Sequence, residues 1–407
     1  MPSLSSIAAF LAPFLVVGLL ACSDDSSAGP GGSGGSSPDP NASCPDDGLN
    51  EGPPIQVAFA APTLIPVSAE PERVVAGDFN QDGHLDLVLA DGPKLNPVVV
   101  LFGDGTGGFG PPEPAGTAPG FDCAVGDMDG DGVDDLVIAR QPIPPEAAVV
   151  TVHFGGASFP DDVGEIVASA ETAGSRSVEV GDFDADGRRD VAVFTGVGVG
   201  VAFNEGSRAF TPIGLIGEGI QESAYAVAAV DVANLDLDAG VEILGLSGTG
   251  AWRRYDVATG RTSQATSVGT VTPGSGARAP GDFDGDGLDD LLRTAKGGLH
   301  VFWNDGKFGQ PNLFCVSDSL TEGVAGVATA DLDGDGRSDL IASTRNNQLV
   351  VLGGAGSRRF REPFVLPSDS PGQVLTADLN EDGALDIVVA SAPPGGNGHV
   401  EVHLSAE

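Results

Sequence analysis

Six short stretches of this chain place oxygen-bearing side chains at one fixed spacing. They are Asp78, Asn80, Asp82 and Asp86; Asp127, Asp129, Asp131 and Asp135; and Asp182, Asp184, Asp186 and Asp190. The same spacing returns at Asp282, Asp284, Asp286 and Asp290; at Asp331, Asp333, Asp335 and Asp339; and at Asp378, Asn380, Asp382 and Asp386. In each nonapeptide, positions 1, 3, 5 and 9 carry the oxygens and position 6 is Gly, the residue a tight turn needs. In such a turn the four side chains converge on one point, and a backbone carbonyl at position 7 adds another oxygen.

All-oxygen ligation by several carboxylates selects calcium over zinc or copper, with magnesium, smaller and slower to shed water, in second place. An EF-hand begins alike but needs Glu at position 12, where this chain has apolar residues such as Leu89 and Ile138. The four positions hold 22 carboxylates over six loops, in a chain of net charge −39. Unneutralised, such clusters repel at short range. About six structural calcium ions are therefore expected, coupling the fold to the metal. A seventh, worn copy runs from Asp231 to Glu242. Counted from Asp231 it has three extra residues and Ala239 in place of the turn glycine. Asn234, Asp236, Asp238 and Glu242 would make at best a weak site, expected to be empty.

The elements that position these loops repeat with them. Successive first aspartates, Asp231 included, stand 49, 55, 49, 51, 49 and 47 residues apart. A small apolar strand precedes each motif (Val74-Val-Ala-Gly, Val178-Glu-Val-Gly), and a β-branched one follows it (Leu85-Asp-Leu-Val-Leu, Leu385-Asp-Ile-Val-Val). A third strand ends in a Gly-rich turn and a fourth starts near an aromatic, as at Phe210 and Phe360. Four strands in about 50 residues make a propeller blade. The last copy stops after its third strand, His399 to Leu404, while a spare strand, Val57 to Ile65, precedes the first copy. The expected fold is all-β: a seven-bladed propeller whose last blade is completed by the N-terminal strand, which removes the exposed edge.

These repeats resemble the FG-GAP (VCBS-type) family, the units of the integrin α-subunit propeller and of many bacterial surface proteins. The resemblance spans roughly residues 55–407 and implies the fold more strongly than any single activity.

Before residue 55 the chain reads differently. Ile7 to Ala21 is an apolar run of secretory length, ending in Leu19-Leu20-Ala21-Cys22, which resembles a bacterial lipobox. Residues 1–21 are expected to be a lipoprotein signal peptide, with Cys22 carrying the lipid. The Gly/Ser/Pro-rich residues 22–54 are expected to be a tether of about 30 Å reach, ahead of the propeller at 55–407. The expected location is the bacterial cell envelope. Cys44, Cys123 and Cys315 have no disulfide or zinc spacing, and Cys123 replaces a strand Val as a small buried hydrophobe.

Net charge −39 excludes nucleic acid and bare anionic membrane as partners, leaving the lipid as the membrane contact. The five histidines, His84, His153, His300, His399 and His403, fall in no catalytic motif, and no Gly-x-Ser-x-Gly elbow or phosphate loop occurs. An enzyme is not expected. The function expected is a calcium-stabilised binding or adhesion module, monomeric, recognising a protein or a glycan. The alternatives are a passive structural envelope protein and, further off, a polysaccharide-acting enzyme. The surface candidate for a ligand is Trp252-Arg253-Arg254-Tyr255, an aromatic and basic cluster in blade four.

Overall fold

The structure, a computed structural model, describes residues 52–406 apart from 68–70, 91–96, 141–148, 168–176, 196–197, 217–228, 237–239, 247–250, 271–277, 296–297, 307–312, 318–322, 357 and 392–397. The expected signal peptide at 1–21, Cys22, Cys44 and nearly all of the expected tether at 22–54 lie outside the described residues.

Short β-branched runs interrupted by Gly and Asp turns cannot build helices, and the chain forms antiparallel sheets. Blade one is Arg73–Gly77, Asp86–Ala90, Pro97–Leu101 and the first half of Glu113–Gly126. That long strand continues as the innermost strand of blade two, which adds Asp135–Arg140, Val149–His153 and Val163–Val167. Blades three to six open with Ser177–Gly181, Ala229–Ala233, Arg278–Gly281 and Val324–Ala330, and each is a four-stranded sheet. Blade seven takes Gly372–Ala377, Asp386–Ser391 and His399–His403 from the C-terminal end, and its fourth strand, Thr63–Pro66, from the N-terminal end. Thr63 pairs with Val402 and Pro66 with His399, while Ala58–Phe59 pairs with Ser405–Ala406. The seven first strands touch in sequence, and the last touches the first. The ring is closed as its two ends predicted.

The core lies between blades. Blades one and two enclose Phe79, Val88, Val100, Cys123 and Leu136; blades six and seven enclose Ile341, Val351, Val374 and Ile387. The residue at position 2 of each loop anchors this packing. Phe79, Phe183 and Phe283 are fully buried, Phe79 stacked on Phe159 of blade two and Phe283 set edge-on to Phe360 of blade six. Burial of one such ring stabilises the fold by about 1.5–3 kcal/mol. Cys123 is buried and free, and burial pushes its thiol well above the ordinary range.

Toward the axis, the first strands carry an arc of charge. Arg73 reaches Asp122 at 3.3 Å and Glu179 at 3.0 Å, joining blades one, two and three, and Arg278 pairs with Asp231 across blades five and four. Three carboxylates face two guanidinium groups. Burial pushes Glu179 up to about 7 although Arg73 opposes it, and raises Asp231 as well.

Candidate metal centres

Each acidic loop joins the first strand of its blade to the second. Gly132, at position 6 of the second loop, has φ +86° and its counterparts match it, so the left-handed turn excludes side chains there. Position 4 is left-handed too, filled by Gly130, Gly285 and Gly334 in three loops and by Gln81, Ala185 and Glu381 in the others.

Within this frame the acids divide their work. The position 1 carboxylate closes the loop: Asp78 accepts the backbone N–H of Asp82 at 3.1 Å and of Gly83 at 3.0 Å. Position 5 accepts the N–H of position 7, as Asp131 does from Val133 at 2.9 Å. Position 9 is buried in every one of the six matched loops and ties the loop to the third-to-fourth turn. Asp86 accepts from Phe79 N–H at 3.2 Å and from Gly103 N–H at 2.9 Å. Desolvation pushes Asp290 up to about 8, and Asp86, Asp135, Asp190 and Asp339 up to about 6, against the pull of those N–H groups.

Positions 1, 3 and 9 bring carboxylate oxygens within 4.8 Å of one another in blades two, three, five and six: Asp127, Asp129 and Asp135; Asp182, Asp184 and Asp190; Asp282, Asp284 and Asp290; Asp331, Asp333 and Asp339. Asp131, Asp186, Asp286 and Asp335 stand outside these triplets. In blades one and seven the amides at position 3 turn inward, Asn80 donating to Asp82 and Asn380 to Asp382, each at 2.9 Å. The donor set fits a divalent cation. Asp184 Oδ1 and Asp284 Oδ1, both at position 3, are buried without a hydrogen-bond partner among the described residues, and an ion would satisfy them.

Contacts invisible in the spacing link one blade to the next. Arg208, Arg261 and Arg358 sit at φ 63°, 65° and 61° in the turns of blades three, four and six. Each reaches the position 3 carboxylate of the preceding blade: Asp129 at 2.7 Å, Asp184 at 2.8 Å and Asp284 at 3.4 Å. His84 Nδ1 lies 2.5 Å from Glu381 Oε1, joining blade one to blade seven. Position 8 also contributes, for Asp134 accepts the N–H of Asp78 at 3.1 Å and Asp289 that of Asn234 at 2.8 Å. The doubled aspartates at 134–135 and 289–290 were the available signal.

Blade four corrects the sequence reading. Its loop starts at Asn234, not Asp231. Ala233 pairs with Glu242 in the register that joins Gly77 to Asp86, and Leu235 N–H donates to Glu242 as Phe79 N–H does to Asp86. Nine residues, 234 to 242, then form the loop with no insertion. Asp231 belongs to the first strand and to the axial arc. The acids here are Asp236, Glu242 and Asp256, the last from the third strand and not foreseen. Among them lies the Arg254 guanidinium, paired with Asp236 and Asp256 and 3.9 Å from Glu242. Asp238 lies outside the described residues.

The cluster 252–255 is not one surface. Tyr255 is buried against Phe183, Val199 and Ile243, and Arg254 turns to the loop. Nothing is described of the Trp252 side chain. In blade seven, Ser370, Ser391 and Asp369 all approach the same nitrogen, His399 Nε2, at 3.4, 3.2 and 3.3 Å. A catalytic triad needs nucleophile and carboxylate on opposite ring nitrogens, so this grouping is not one.

A profile of the FG-GAP-like repeat matches residues 78–138, 282–342 and 332–389. No curated protein matches the chain in sequence. Among solved structures, a lectin from Burkholderia pseudomallei aligns with TM-score 0.60 at 17% identity, over 82% of this chain and 95% of that one. The Agrocybe aegerita lectin that recognises non-reducing terminal N-acetylglucosamine aligns with TM-score 0.57 at 17% identity, over 77% and 91%. BBS1N, solved in complex with ARL6DN, aligns with TM-score 0.58 at 12% identity, over 87% and 98%. The chain is a seven-bladed β-propeller that carries FG-GAP-like repeats and is similar in fold to these three proteins.

Proposed function

We propose that this propeller is a non-catalytic binding module, stabilised by calcium at its acidic loops and held at the bacterial envelope through a lipid on Cys22. One observation carries the reading. The carboxylates that might have done chemistry are consumed in closing hairpins and tying blades together, as Asp78 and Asp86 do. What such a rigid ring offers is recognition surface. Asp78, Asn80, Asp82 and Asp86, and their counterparts in the other five matched loops, would hold the ions; calcium fits the all-oxygen donors better than magnesium.

The partner is a glycan or a protein. Lectins of like fold support the first, and the BBS1N–ARL6DN complex supports the second. A glycan array probed with the full chain in calcium tests the first; specific sugar binding is expected, and a blank array shifts the reading to a protein partner. The anchor is tested separately. Cys22→Ala is expected to move the protein from the membrane fraction to the soluble one, and unchanged fractionation with no lipid label on wild type overturns it.

A further inference from the structure

Blade two differs from its neighbours on the face it turns to blade one. The residue after loop position 9 pairs with Leu101, Ala202, Tyr255, Phe302 and Leu352 on the third strands of blades one, three, four, five and six. In blade two that partner is His153, and two residues before it stands Thr151. Blade seven has His403 and Glu401 at these positions, with Nε2 and Oε1 2.8 Å apart. Blade two has no such pair.

Beside Thr151 and His153 lies a cleft of about 230 Å³ between the outer strand of blade one and the sheet of blade two. Thr151 is 3% exposed, and its Oγ1 has no hydrogen-bond partner among the described residues. A buried hydroxyl left without a partner is destabilising, and a group entering the cleft would bond it. His153 Nδ1 lies 2.8 Å from the Pro160 carbonyl, so it carries the proton and Nε2 is left as an acceptor. Burial first, and Arg140 as well, hold His153 below its ordinary range and neutral. Gly116, at φ +98°, lies under the ring; a Cβ there would come within 3.0 Å of His153 Cε1. Arg140 supplies donors and Asp161 acceptors at the rim, over an apolar floor that includes Ile138.

The lining selects by charge and by hydrogen bonding. Asp161 and the acceptor nitrogen of His153 work against an anion, and Arg140 works against a cation. A neutral ligand whose groups both donate and accept matches all four, and apolar C–H faces match the floor. The volume falls below the roughly 300–1,000 Å³ that takes drug-sized ligands, and the cleft itself has room for one small ring. We infer that this cleft binds a single neutral sugar ring, with Thr151 and His153 reading its hydroxyl groups. The inference rests on the binding reading above and gives its glycan branch a location.

The test is a calorimetric and saturation-transfer NMR titration of the full chain, in calcium, with a panel of methyl hexosides and N-acetylhexosaminides, and with acetate and inorganic phosphate as anion controls. Wild type is expected to bind at least one glycoside and neither anion. Thr151→Val, which keeps the shape and removes the hydroxyl, is expected to lose about tenfold or more in affinity while melting no lower than wild type. His153→Leu, the residue used in blades one and six, is expected to lose as much; should it fail to fold, Thr151→Val decides alone. No glycoside bound by wild type, an anion bound in preference, or unchanged affinity in Thr151→Val overturns the site. A positive array with unchanged Thr151→Val affinity places the sugar elsewhere and leaves the binding reading standing, whereas a blank array with no glycoside bound removes the glycan reading too.

Discussion

Blades four and five solve one electrostatic problem in two ways. Both have nine-residue loops, with Leu235 and Phe283 buried at the second position and an acid tied to that residue's N–H. In blade five, Asp282, Asp284 and Asp290 face one another, and Arg358 touches Asp284 only from the next blade, at 3.4 Å. In blade four the chain's own Arg254 lies among Asp236, Asp256 and Glu242. The acids of one loop are placed where a divalent cation from solution would fit, and those of the other already surround a guanidinium that the chain itself carries. Counting acids does not separate them; the position of one guanidinium does.

The largest expected effect is that of chelation. A ligand bound only by the folded state stabilises it by about 2.7 kcal/mol per site at a hundredfold excess over Kd, and several sites rival the roughly 5–15 kcal/mol of a typical domain. EGTA is expected to lower the calorimetric Tm by about tens of degrees, with magnesium restoring little. Asp282→Ala or Asp331→Ala should cost clearly more than Asp236→Ala, because Arg254 still serves Asp256 and Glu242. Equal costs would erase the contrast between the blades.

Removing Arg254 sharpens it. Without calcium, Arg254→Ala leaves three carboxylates facing one another around a half-buried space, a loss of about 1–2 kcal/mol once solvent screening at the part-exposed Asp236 and Asp256 is allowed for. With calcium, the variant is expected to bind one more ion per chain than wild type in a calorimetric titration. An unchanged stoichiometry would show that the loop backbone, not the guanidinium, keeps the ion out.

The smallest effect concerns the axial arc, where Asp122, Glu179 and Asp231 outnumber Arg73 and Arg278. Glu179 has its folded pKa raised to about 7, so its contribution is fully present below about pH 4.5 and fades as pH rises through 7. Urea midpoints in saturating calcium are expected to fall between about pH 5 and 8, and Glu179→Gln is expected to flatten that slope. A slope unchanged in the variant would assign it to other groups.

The ring, its blade count and its closure were legible because the acid spacing, the flanking apolar strands and the unpaired strand at 57–65 all repeat or complete one unit. The loop boundary in blade four was not. Asp231 imitates position 1 in type, and only strand register reveals that Asn234 occupies it. Arg254 and Asp256 were hidden for a related reason, since a neighbour across a hairpin has no fixed offset in sequence. Arg208, Arg261 and Arg358 reach backward across a blade boundary from left-handed turn positions, a conformation that no residue type but glycine announces. The cleft beside Thr151 was equally silent, being defined by what the hydroxyl does not touch.

Closure by Thr63–Pro66 also dictates a timetable. That strand leaves the ribosome, and any export channel, more than three hundred residues before its partner at His399–His403, and pairings of such separation are slow to form. Once made, the third strand of blade seven presents a bare edge carrying His399, Glu401 and His403 until Thr63–Pro66 pairs with it. The ring can lock only when the chain is whole, so a truncated product would keep six blades' worth of sequence and still expose an edge for proteolysis or for pairing with a second chain.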